Sequence, residues 1–381
     1  MKPVQGRFFR YWRAIVSFLL AGSFVGSLAT AAAAQESITV TDLAGRMVEL
    51  HQPPERLVLA DGFVINALNV LEPDPVKIMA GWSQTFKAID PASYARYRRK
   101  FPAIDAVPTI GEIGAGGVSL EQIVALRPDL IILPLELSAS DKLVQRLEAF
   151  KIPVIFVDFF NDPMNDTVPS LRILGEILQR QEKAEAFIAF YEDHMRKLRE
   201  NDPNRRTAPK VLLQAHAGIW KCCWSPGKAS LGAYITLGGG LNIGADPLPA
   251  HGGWLSREYV IAANPDVYIA TGRPENGANG GLAIGPGVST MEAKRSLRTL
   301  ASADDLRTSS AVRENQVYGL WNFFLDTPAN IVAAEVIAKW IDPEGFRDID
   351  PDATLTALNG FLAVPMEGTY WTSMENTPVG K

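Results

Sequence analysis

One passage of this chain is written twice. Ser119–Leu133 reads SLEQIVALRPDLIIL, and Leu255–Ala270 reads LSREYVIAANPDVYIA. Each copy places a glutamate at the start of an apolar helix, turns through Pro-Asp and ends in a buried strand. Glu121, Pro128 and Asp129 recur as Glu258, Pro265 and Asp266, at a constant offset of 137 residues. That period is too long for a solenoid repeat. A chain of 381 residues has room for two domains. The duplication therefore predicts two α/β lobes of similar build that face each other.

The rest of the chain fits this frame. ITVTDLAGRMVEL (Ile38–Leu50) predicts a hairpin turning at Gly45. RLVLA, VKIMAGW, LIILP and PVIFVDF read as strands, with FVINALNVL, PASYARYRRKF and SDKLVQRLEAF as intervening helices. Strands that alternate with helices predict a parallel sheet covered on both faces. From Ser170 to Glu200 apolar residues recur at three and four with no helix breaker, which predicts one helix of roughly thirty residues, ~45 Å long. NDPNRRTAP ends it, and the pattern restarts with KVLLQAH, LGAYITLGGG, VYGLW, PANIVAAEVIAKWI and a final helix before Trp371. The expected organisation is a leader over 1–34, a first lobe over 35–165, a connecting backbone helix over 166–201, a second lobe over 202–373 and a disordered tail over 374–381.

The leader is recognised by its three zones. Lys2, Arg7, Arg10 and Arg13 precede an uncharged run from Ala14 to Ala34 that closes in small residues. This is the form of a secretory signal peptide, and cleavage after Ala34 is expected, giving a periplasmic protein. Removing it takes the net charge from −5 to −9. Such an acidic balance argues against nucleic-acid binding. The two cysteines are neighbours, Cys222 and Cys223. Adjacent cysteines close only a strained ring, so two partly buried thiols are expected ahead of a disulfide. Four histidines (His51, His194, His216, His251) are too few for a metal site of the usual kind, and none is assigned. His51 and His194 are expected at the surface. No nucleophile elbow, P-loop, HExxH or complete GxGxxG is present, so no enzyme is expected and no catalytic residue is assigned.

The order of segments carries a resemblance. PPERLVLAD, SLEQIVALRPDLIIL, LGGGLNIGAD, SREYVIAANPDVYIA, VRENQVYGL and AKWIDPEGF, read in sequence, are similar to the periplasmic binding proteins that serve ABC importers of ferric siderophores, haem and vitamin B12. The resemblance covers essentially the whole chain after the leader. It implies two Rossmann-like α/β lobes joined by one long rigid helix, ligand held in the cleft between them, and a monomer that meets an inner-membrane ABC permease dimer. It also implies a role for the duplicated glutamates: Glu121 and Glu258 would dock against arginines on the two permease subunits, as charge pairs that set register. The ligand expected is a ferric siderophore, with haem or cobalamin as alternatives and an exported enzyme of this fold as the remote one. No resident cofactor is expected.

Open α/β sheets bind ligands at the carboxyl ends of their strands. That rule selects Asp61, Phe63 and Trp82 in the first lobe. In the second it selects His216, Trp220, Lys221, Trp224, Trp254, Arg273, Trp321 and Phe323. The aromatics suit a large, flat ligand. Arg273 and Lys221 suit an anionic ferric complex or haem propionates. His216 and Tyr268 are the candidate axial ligands should the ligand be haem.

Overall fold

The computed structural model describes residues 37–111, 119–139, 141–200, 208–302 and 306–374. The leader and its cleavage site, the GEIGAGG loop and the end of the tail lie outside these residues. From Ser37 onward the chain forms one compact unit.

The first lobe opens with an antiparallel hairpin, β1 (Ile38–Thr41) and β2 (Met47–Leu50), turning through Gly45 at φ 75°. Its main sheet is four-stranded and parallel, in the order β4-β3-β5-β6, with β3 Leu57–Leu59, β4 Met79–Trp82, β5 Leu130–Pro134 and β6 Val154–Val157. Helices α1 (Ile65–Leu71), α2 (Thr85–Ile89), α3 (Pro91–Lys100), α4 (Leu120–Leu126) and α5 (Asp141–Ala149) connect these strands. The strands are apolar almost throughout because helices cover both faces.

The predicted single helix over 170–200 is instead a helical hairpin. Helix α6 (Pro163–Ile177) ends, the chain reverses through Leu178–Arg180 with Gln179 at φ 53°, and α7 (Gln181–Glu200) runs back along it. Arg172 pairs with Glu185 at 2.7 Å, and the Tyr191 hydroxyl lies 3.2 Å from the Pro163 carbonyl. The reversal is possible because Gly175 has no side chain; a Cβ there would stand 2.5 Å from that of Ala184. Apolar spacing is the same in one helix or two, so periodicity alone could not reveal the turn.

The second lobe is built on a five-stranded sheet, β15-β13-β11-β7-β9, parallel except for its last edge strand. Its strands are β7 Lys210–Gln214, β9 Leu241–Asn242, β11 Val267–Gly272, β13 Val317–Trp321 and β15 Trp371–Ser373. Two short ribbons flank it, β8 (Trp224–Ser225) with β10 (Gly253–Trp254), and β12 (Gly285–Pro286) with β14 (Gly368–Thr369). The helices are α8 (Leu231–Leu237), α9 (Arg257–Ala263), α10 (Thr290–Ala301), α11 (Ser310–Arg313), α12 (Asn330–Ile341) and α13 (Pro351–Asn359). Met374, expected in the disordered tail, donates its N–H to Val317 and continues the edge strand.

One apolar core runs through both lobes, with Phe187, Ile188 and Tyr191 of α7 in its middle. A buried polar network crosses it. Asn330 of α12 accepts from Tyr191 at 2.8 Å and donates to Thr167 of α6 at 2.9 Å. His194, expected at the surface, is mostly covered and lies 2.6 Å from the buried Glu335.

The duplicated passage forms the same object in both lobes. Ser119 and Ser256 cap α4 and α9, accepting from Gln122 and Tyr259. Both helices end in a left-handed residue, Arg127 at φ 48° and Asn264 at φ 45°. The aspartate that follows clamps the neighbouring strand. Asp129 accepts from the N–H groups of Glu55 and Arg56, and Asp266 accepts from that of Lys210. The strand then returns a cation to the helix end: Arg56 to Leu126 and Arg127, Lys210 to Ala263. Glu121 and Glu258 take no part in this clamp and stand exposed in the first turns.

Asp129→Ala and Asp266→Ala are therefore expected to cost ~1–2 kcal/mol each, because each removes the hydrogen bonds that tie a helix end to a strand start. Glu121→Ala and Glu258→Ala should stay within ~0.5 kcal/mol. Urea unfolding of the four variants measures the contrast.

Candidate ligand-binding cleft

A cavity of about 390 Å³ lies between the lobes, at the carboxyl ends of both sheets. Asp61 and Phe63 reach it from the turn after β3, Pro134 and Glu136 from the end of β5, and Asp158 to Asn161 from the end of β6. Opposite them stand Ala215 and His216 after β7, Trp220 and Trp224 beyond, and Asn322, Phe323 and Asp326 after β13. The Phe63 and Phe323 rings meet across the lobes at 5.3 Å. Asn161 and Ser230 are bridged by a backbone hydrogen bond of 3.2 Å, again between lobes.

Each wall is held from behind. The Thr271 hydroxyl, at the end of β11, accepts from the His216 N–H at 3.2 Å and donates to Asn322 at 2.6 Å. Three strand ends are thus tied through one buried threonine. His216 sits in the left-handed region at φ 45°, with its ring 4.5 Å from that of Trp220. The aromatic wall continues from Trp220 to Trp224 at 5.9 Å. The Asp158 carboxylate is occupied by its own turn, accepting from the N–H groups of Asn161 and Asp162 and from the Asn161 amide.

The electrostatics are set by burial. Desolvation pushes the Asp61 carboxyl up to about 6, against the hydrogen bond from Phe63, and the charges of Glu136 and Asp158 add to the rise. Burial also holds Asp326 well above the ordinary carboxylate range, with Asp61 and Asp158 adding. His216 is driven down to about 4, first by burial and then by the charge of Arg273, so its imidazole is neutral at neutral pH. Among the described residues no group of three or more His, Cys, Asp or Glu side chains is arranged to hold a metal ion.

The structure places Asp61, Phe63, His216, Trp220, Trp224 and Phe323 on the cleft wall. It places five other candidates elsewhere. Trp82 is fully buried, stacked on Tyr94 and tilted on Phe86, because α2 and α3 fold over the end of β4. Trp321 is buried under Phe324 and Tyr370 by the edge strand β15. Trp254 is exposed, and stacks on the outer side of Trp220 without lining the cavity. Lys221 points to solvent. Arg273 reaches across to the carbonyl of Ile89 and faces Glu275; it does not line the cavity, and its charge is felt there at His216. The two cysteines are joined: Cys222–Cys223 is a disulfide across a cis peptide bond, with the Cα atoms 3.0 Å apart, which corrects the expectation of free thiols. Tyr268 is buried in the sheet and bonded to Gln214, away from the cleft.

Sequence reasoning missed Glu136, Asp158, Phe159, Phe160, Asn161 and Asp326. The strand-end rule that found Asp61 applies equally to DFFND after β6, so that signal was present. Asp326 carried none, because it lies five residues beyond its strand in a short 3-10 turn.

Residues 69–322 match a family model described as periplasmic binding protein. The chain belongs to that family. It is 30% identical over 164 residues to the vitamin B12-binding protein of Pectobacterium carotovorum subsp. carotovorum (strain PC1), a stretch covering 42% of this chain and 56% of that one. The chain thus spans little more than half the length of the curated relatives it matches. The TroA-like periplasmic binding protein FepB from Veillonella parvula superposes with a TM-score of 0.79 at 25% identity, over 89% of this chain and all of that one. The periplasmic heme-binding protein RhuT from Roseiflexus sp. RS-1, in apo form, superposes at 0.54 with 20% identity, over 76% and 99% of the two chains. The resemblance read from the ordered segments and the two-lobe α/β fold both stand.

Asp61 gives a test of the cleft's electrostatics. Its folded pKa of about 6 exceeds the unfolded value of ~3.9, so the folded state holds the proton more tightly. Its contribution to stability therefore falls as pH rises from ~4 to about 6 and stays low above. Asn at 61 keeps the cap without the charge. Asp61→Asn is expected to melt roughly 2 °C above the parent at pH 7.5 and level with it at pH 4, by calorimetry. A lower melting temperature at pH 7.5 would mean the carboxylate is engaged rather than strained.

Proposed function

We propose that this protein is the exported capture component of an ABC importer for an iron chelate. It holds the chelate between its lobes and hands it to a permease dimer in the membrane. The observation that carries this reading is the cavity itself, of the size typical for small-molecule sites and walled by aromatic rings from both lobes. Phe63, Phe159, Trp220, Trp224 and Phe323 offer broad apolar area to a flat or globular complex. No element of the described chain is a helix long and apolar enough to cross a membrane. Cobalamin is the second reading, favoured by the relatives named vitamin B12-binding proteins. Haem is a third, for which the neutral His216 imidazole is the available axial ligand.

Closure would work through the shared core rather than a single stiff rod, since α6 and α7 form a hairpin. Docking to the permease falls to Glu121 and Glu258, exposed at equivalent places on duplicated units that are otherwise structural.

The visible spectrum of protein isolated from iron-starved cells separates these readings. A broad charge-transfer band without a Soret peak is expected; a Soret peak makes haem the ligand, and a corrin spectrum makes it cobalamin. Trp220→Ala and Trp224→Ala should each weaken the captured ligand by about tenfold, as measured by fluorescence titration, since an aromatic contact of this area contributes ~1–2 kcal/mol. Reversing Glu121 and Glu258 to lysine should leave that affinity unchanged and abolish uptake by whole cells. Loss of affinity in the double variant would sink the docking role.

A further inference from the structure

The charge of the cleft narrows the ligand class, granted the capture reading above. Among the described lining residues there is no lysine or arginine, while four are carboxylates: Asp61, Glu136, Asp158 and Asp326. Asp158 is occupied by backbone donors. The other three keep acceptor oxygens that no described residue fills. Asp61 commits Oδ1 to the Phe63 N–H and the Thr85 hydroxyl, and its Oδ2 takes no hydrogen bond from a described residue. The carboxylates of Asp326 and Glu136 take none either, and no described cation pairs with any of the three. Asp61 comes from the first lobe and Asp326 from the second, so a carboxylate without a cationic partner stands on each side of the cavity. Arg273, whose charge acts on His216, spends its hydrogen bond on the Ile89 carbonyl and faces Glu275.

An anionic complex entering this space would meet buried negative charge with no guanidinium or ammonium to balance it. A cation meets the reverse. The carboxylates supply the counter-charge, and the faces of Phe63, Trp220, Trp224 and Phe323 carry the negative side of their ring quadrupoles. We propose that the cleft selects a chelate bearing a protonated amine arm, whose charge is taken up between Asp61 and Asp326 while the aromatic rings cover the body of the complex. Burial makes the charged form of both acids costly in the empty protein, and an arriving cation offsets that cost. Carboxylates left without a counter-ion in a cavity cost the empty protein stability, a feature expected of a binding site and not of a scaffold.

The test uses matched pairs that differ only in charge. Ferrioxamine B, a ferric trihydroxamate with one terminal ammonium, is compared with its N-acetyl form by fluorescence titration at pH 7.5. A cyanocobalamin derivative carrying a primary-amine arm is compared in the same way with its N-acetylated counterpart. The amine form should bind about ten- to a hundredfold tighter within a pair, the range of one charge-assisted hydrogen bond. That preference should fall toward unity in Asp326→Asn; Asp61→Asn supplies the same reading if the first variant fails to fold. Equal binding of the ferric pair, tighter binding of its acetylated member, or a preference unchanged in both variants overturns the charge assignment and leaves the iron-chelate reading standing. Binding of the corrinoid pair alone, with the amine preferred, upholds the charge assignment and removes the iron-chelate reading. Binding of neither pair overturns both.

Discussion

A single buried asparagine fixes how the two halves of this protein meet. Asn330 is wholly removed from solvent, so both ends of its amide must be paired. Its oxygen accepts from Tyr191 and its nitrogen donates to Thr167, on the two arms of the helical hairpin. A slip of α12 against that hairpin would strand a donor or an acceptor, at a cost of ~1–3 kcal/mol for each group. The apolar packing around the network is non-directional and would tolerate sliding; the hydrogen bonds would not. His194 and Glu335 repeat the constraint one turn further along α7. With the helices held in register, the two sheets share one core and still keep an open space between their strand ends.

That space is maintained at a local cost. The cleft wall includes a histidine in the left-handed region and carboxylates without counter-ions. They persist because firmly packed groups hold them: Thr271 fixes His216 and Asn322, and the cap to Phe63 fixes Asp61. The duplicated clamps built on Asp129 and Asp266 do the complementary work, securing a helix end to a strand start in each lobe. The repeat divides its two acids: the aspartate is spent inside the lobe, and the glutamate eight residues earlier stays exposed in the first turn.

Much of this was legible in the sequence wherever the signal was local. The hairpin at Gly45, the buried strands and the helix α12 follow from period and punctuation. Asp61 and His216 follow from their place just after strands, because a parallel sheet exposes only its ends. The misreadings share one cause. Trp82 and Trp321 also stand at strand ends, but α2, α3 and β15 fold back over them, and nothing near either tryptophan in sequence announces that cover. Arg273 looked like a ligand cation until Ile89, from the other lobe, took its hydrogen bond.

The sequence by itself determined the class of fold, the duplicated lobe and the strand ends from which a site could be made. These rest on periodicity and turn chemistry, which act between residues near one another in the chain. Tertiary structure alone decided that the long helix is a hairpin, which aromatics reach the cavity, and that the cavity is acidic. Those outcomes depend on close contacts between distant segments: Gly175 against Ala184, Tyr370 over Trp321, Asp326 facing the side of Asp61. Burial sets both the exposure of a ring and the proton affinity of an acid, and burial is a property of the whole packed chain.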